Sequence, residues 1–115
     1  MVVDAENWYY RSTLNNFDIP NWRNRQWGIS RMGAPVDFVL LTDLLGGMAR
    51  EYKLYYMWNT FHFTAEEREQ LTALVRRDGK MALWVWAPGF AGDDDLSVAH
   101  CEEVTGIRLR MTERQ

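Results

Sequence analysis

The alternation of apolar and polar positions is clearest between Tyr52 and Phe90, where the apolar run YKLYYMW, a segment of helical period and a second apolar run, MALWVW, follow one another. That succession predicts strand, helix, strand. Two strands joined by a helix run parallel in one covered sheet, so the unit predicts an α/β fold with any site at the strands' carboxyl ends. The helix boundaries are written chemically. Thr64 and Glu67 have the spacing of a capping box, and Gly79 supplies a left-handed stop. Glu66, Glu67 and Glu69 near the amino end and Arg76 and Arg77 near the carboxyl end each suit the helix dipole. Leu71, Leu74 and Val75 form the predicted buried stripe.

The remaining pattern extends this unit in both directions. Val2 to Asp4 reads as the end of a strand, short of the five or six residues usual for one. Ala5 to Ile19, rich in Asn, Asp and aromatics, is a long loop of the kind that often carries function. From Pro20 to Gly33 the pattern is helical, with Asp18 placed to cap and with Trp22, Ile29 and Met32 toward the sheet. Val36 to Leu41 is a second strand, ended by the break at Gly46 and Gly47, and Tyr52 to Trp58 is the third. Met81 to Trp86 is a fourth strand, covered on both faces. Ser97 to Thr105 is a last helix with Val98, Cys101 and Val104 inward and Gly106 as stop, and Ile107 to Met111 alternates as a final strand. The order βαββαβαβ predicts one domain over residues 1–115: an open, mainly parallel sheet with helices on both faces, a three-layer sandwich. Asp43 to Glu51 is short for a crossover unless Leu44 to Arg50 forms a helical turn or two.

Composition narrows the classes of function. The chain is 47% hydrophobic and 25% charged, ordinary for a globular domain, but six Trp, five Tyr and five Phe exceed what a small core needs, so some rings are expected to face a partner or ligand. A net charge of −3 without a basic stripe argues against nucleic acid. Apolar runs of at most about eight residues predict no membrane span, and MVVDAEN lacks the regions of a signal peptide, which gives a cytoplasmic expectation. A lone cysteine, Cys101, excludes an internal disulfide. No cofactor is called for.

Candidate chemistry gathers at the predicted strand ends. Asp4, Glu6 and Asp43 are candidate acid and base carboxylates for glycoside hydrolysis, where about 5 Å between carboxyl groups suggests retention and a wider gap inversion. The structural alternative is that they cap helices and hold loops. His62 is a candidate general base, or a ligand for a metal shared with Asp43; the alternative is a half-buried loop histidine, and no second His or Cys stands at a ligand spacing. His100 and Cys101 diverge on their helix, giving a surface histidine and a core cysteine. Asp93 to Asp95 reads as a solvated loop. Trp8, Asn59 and Trp86 are candidate ligand-binding residues, with Trp58, Trp84 and Trp86 also readable as core.

VDFVLLTDLL, the segment from Tyr52 to Lys80, MALWVWAPGF and EEVTGI together resemble the β-galactosidase trimerisation domain, which follows the catalytic barrel in β-galactosidases and related glycoside hydrolases. The resemblance spans roughly Val36 to Ile107, with Val2 to Asp4 matching the first strand. It implies a class I glutamine amidotransferase-like, flavodoxin-like fold and a role in homo-oligomer formation, with carbohydrate as a possible ligand. It also implies a truncated or excised module. Working amidotransferases carry a nucleophilic Cys in the turn after a strand; here that turn reads APGFAG, without Cys, Ser or Thr. The hydrolytic glutamates of those glycosidases belong to the barrel, so the resemblance implies a non-catalytic domain.

Overall fold

The computed structural model describes residues 1–7, 28–77 and 79–112. Among them, β1 (Val2–Val3), a 3-10 turn (Ile29–Arg31), β2 (Val39–Leu40), α1 (Leu41–Leu45), β3 (Leu54–Met57), α2 (Ala65–Val75), β4 (Met81–Trp84) and α3 (Val98–Thr105) follow in order. The four strands form one sheet in the order β2-β1-β3-β4, and every pairing is parallel. The predicted strand–helix–strand unit is β3, α2 and β4, in the register Leu54 with Met81 through Met57 with Trp84. The capping box is formed on both sides: Thr64 Oγ1 accepts from the Glu67 N–H at 3.2 Å, and the Thr64 N–H donates to Glu67 Oε2 at 2.9 Å.

The sheet has a dry face built by period-two alternation. Val2, Tyr55 and Met57 point to one side and meet Leu41 and Leu44 of α1, Leu71 of α2, Val104 of α3, and Phe63. All three described α-helices therefore cover the same face. For α1 and α2 handedness explains this: the chain passes from β2 over β1 to β3 and from β3 to β4 in the same direction, and right-handed crossovers in one direction share a face. From β1 to β2 the sheet order runs the opposite way, for which the same rule predicts the other face. The described end of that connection does pack there, where Ile29 and Val36 meet Met1, Val3, Tyr56 and Trp58.

Several expectations are corrected. Most of the Pro20–Gly33 helix expected on the second face lies outside the described residues. Its end is a 3-10 turn in which Ile29 is buried as expected but Met32 is exposed. The second strand is shorter than Val36–Leu41, because Leu41 already opens α1 and turns inward to the core. This early helical turn makes the parallel β2-to-β3 crossover possible. Trp86 is not core; it is 57% exposed. Ile107–Met111 joins no strand: its first residues are tied to α3, with the Ile107 N–H on Thr105 Oγ1 and the Leu109 N–H on Glu102 Oε1. Among the described residues no helix is long and apolar enough to cross a membrane.

Candidate functional site

In an open parallel sheet, ligands bind where neighbouring strands send their connections in opposite directions, because the departing chains leave a crevice. Here that point lies between the carboxyl ends of β1 and β3. The residues reaching it are Asp4, just after β1, and Trp58 to Phe61, just after β3. Asp4, Asn59 and Thr60 are buried there, as is Asn7.

Their hydrogen bonds account for the burial of so many polar groups. Asn59 Oδ1 accepts the Asp4 N–H at 2.8 Å and Asn59 Nδ2 donates to the Asp4 carbonyl at 2.7 Å, so one side-chain amide continues the β1–β3 ladder past its last pair, Val2 and Met57. The Asp4 carboxylate accepts from the Glu6 N–H at 2.9 Å and, through its other oxygen, from Asn7 Nδ2. Asn7 Oδ1 accepts from the backbone N–H groups of Phe61 and His62 at 3.0 and 2.8 Å. A buried polar group without a partner costs about 1–3 kcal/mol, so this closed set of bonds is what allows the rim to be dry. Thr60 Oγ1 is the exception, buried with no hydrogen-bond partner among the described residues.

The turn after β4 packs against the loop that follows β3. Trp86 and Ala87 take φ values of 43° and 35°, a region costly for side-chain-bearing residues. Gly89, at φ 67°, donates its N–H to the Thr60 carbonyl at 2.8 Å; a Cβ there would meet Phe63 Cδ2 at 2.7 Å. The Trp86 ring stands edge-on to Phe61, with centroids 5.1 Å apart and planes at 76°. An exposed indole thus lies beside the rim, suited by its flat apolar face to stacking.

The sequence candidates divide accordingly. Asp4 and Asn59 come together, but their polar groups bind the backbone and one another. Glu6 is exposed. Asp43 is on α1 and lines a depression with Asp37, Phe38, Met48, Arg50 and Tyr52, a set that includes none of Asp4, Glu6 or His62. His62 has Asp93 as its carboxylate neighbour, Nε2 to Oδ1 3.6 Å, rather than Asp43. Trp8 lies outside the described residues. Among the described residues no three His, Cys, Asp or Glu side chains are grouped to hold a metal ion.

Sequence reasoning missed Asn7, for which the only signal was its place three residues after Asp4. It also misread His100, which is mostly shielded and has Nε2 3.4 Å from Asp95 Oδ1. Gly92 permits this approach, since a Cβ there would meet His100 Cε1 at 2.7 Å. Cys101 is core as expected, and burial pushes its thiol pKa up, away from the reactive thiolate.

These features define a parallel α/β sheet domain in which the strand-end side chains of Asp4, Asn7 and Asn59 hold its loops. Compared with known proteins, the chain matches no family model, no curated sequence and no solved structure at a significant level.

Proposed function

We propose that this chain is a non-catalytic domain of the amidotransferase-like, flavodoxin-like class, related to the oligomerisation domain of β-galactosidase-type glycosidases, and that its role is subunit association. The strand order with its reversal at β1 supports the fold class. The observation that carries the functional reading is a contrast between two surfaces. At the rim, the most buried candidate carboxylate, Asp4, is occupied by internal donors. Along β3 and β4, by comparison, Leu54, Met81 and Leu83 are exposed on one sheet face. Contiguous apolar surface of this kind marks an interaction site. Light scattering after size exclusion tests the reading: association at micromolar concentration is expected, and a monomer throughout that range would sink it.

A carbohydrate-binding role is the second reading, favoured by the exposed Trp86 beside Phe61 at the rim. Tryptophan fluorescence titrated with oligosaccharides checks it. A saturable change lost in Trp86→Ala supports sugar stacking, and an invariant signal rejects it. Glycosidase activity has weaker support, because Asp43 and Asp4 face different surroundings. Chromogenic glycosides with the protein and its Asp43→Asn variant are expected to show no turnover.

A further inference from the structure

We propose that residues 107–111 are a donor strand that adds to the open edge of β4 in a second copy of this chain, with the two copies exchanging strands reciprocally. This rests on the subunit-association reading and gives it a location. The donor is written as a strand: Ile107, Leu109 and Met111 alternate with Arg108, Arg110 and Thr112. Such period-two alternation has its use in a sheet, where one side of the segment is covered. Among the described residues the segment pairs with no strand, and all three apolar side chains are exposed, Met111 by 73%. Its backbone is held at the end of α3, where the Ile107 and Leu109 N–H groups donate to Thr105 Oγ1 and Glu102 Oε1.

The acceptor is equally incomplete. Among the described residues β4 is the last strand of the sheet, bonded on one side only. The N–H groups of Met81 and Val85 donate toward β3, to the Lys53 and Met57 carbonyls. By the alternation of a parallel ladder, Ala82 and Trp84 direct their N–H and carbonyl groups outward. Natural edge strands are guarded by charge, proline or a bulge. β4 reads Met-Ala-Leu-Trp and has none of these within it. Met81 and Leu83 are 66% and 52% exposed beside that edge, available for cross-strand pairing with Ile107, Leu109 or Met111.

One chain therefore offers both a strand without a sheet and a sheet edge without a strand. Reciprocal exchange satisfies both in a closed two-fold pair, whereas one-way addition would leave an edge open and propagate. The occupant is thus a second copy.

The test uses two kinds of full-length variant. In a Cys101→Ala background, one chain carries Met81→Cys or Leu83→Cys and another carries Leu109→Cys; the two are mixed, oxidised and resolved without reductant. Separately, Leu109→Pro with Arg110→Pro removes two N–H donors from the segment while leaving the core untouched. Disulfide-linked pairs between the two chains are expected. The proline variant is expected to weaken association by about tenfold or more, since proline cannot donate to a ladder. Association that persists unchanged in the proline variant, with no cross-link, overturns the donor strand but leaves subunit association standing. A monomeric chain bearing both cysteines that closes an internal disulfide also overturns it, by placing the strand on its own sheet. A wild-type monomer at every concentration removes both ideas.

Discussion

At the carboxyl ends of β1 and β3, three side chains hold the backbone of two loops: Asn59 binds both polar groups of Asp4, Asp4 binds Glu6 and Asn7, and Asn7 binds Phe61 and His62. Asn7→Ala leaves two N–H groups without their acceptor in a dry setting, and a loss of about 2–3 kcal/mol in urea unfolding is expected. An unchanged midpoint would mean that these bonds do not carry the rim. Gly89→Ala combines a left-handed backbone with a Cβ pressed on the Phe63 ring, and about 2–4 kcal/mol of destabilisation is expected by thermal melting. The sequence made Asp4 and Asn59 visible, because residues just past a predicted strand reach the rim whatever their role. Asn7 was not legible, since an asparagine in a loop has no periodicity and its burial depends on Phe61 and His62, more than fifty positions away. His100 was read as surface for a related reason: its shielding depends on Gly92 and Asp95, which only the fold brings near.

At the scale of elements, the legible features are those whose cause is local. The β3–α2–β4 unit stands where alternation, capping box and apolar run predicted it, with strands trimmed to Leu54–Met57 and Met81–Trp84. Thr64→Ala removes one half of the box; about 1 kcal/mol of stability is expected to go with it, read by chemical unfolding, and Thr64→Ser is expected to restore most of it. The failures have non-local causes. Leu41 continues an apolar run that reads as strand, but the distance from β2 across β1 to β3 favours an immediate helical turn, Leu41–Leu45. Ile107–Met111 has a strand's pattern without a strand's pairing, since pairing needs an edge within reach.

For the whole molecule, charge and apolar surface act differently. Near the amino ends of the strands, Asp37 takes hydrogen bonds from Tyr52 and Arg50, while Glu51 takes them from Lys80 and Arg77. Both carboxyls are held below the ordinary range, Asp37 first by the Tyr52 hydroxyl and then by Arg50, Glu51 first by Lys80. A carboxyl with a depressed folded pKa contributes stability above its unfolded pKa and loses it as pH falls through the folded one. The contribution is therefore present at neutral pH and disappears on acidification below the usual carboxylate range. It is small, because exposed pairs are screened. Urea midpoints of the chain and of Asp37→Asn with Glu51→Gln are expected to differ slightly at neutral pH and to converge in strong acid; a gap that widens in acid would reverse the assignment.

Apolar exposure is the larger signal at this scale. Leu54, Met81 and Leu83 lie uncovered beside an unguarded edge, in a chain whose buried carboxylate is occupied internally. Light scattering coupled to size exclusion across the micromolar range tests subunit association most directly. The expected result is a mass of at least twice the 13.6 kDa chain that falls toward it on dilution. A mass equal to the single chain at every concentration would contradict the proposed role.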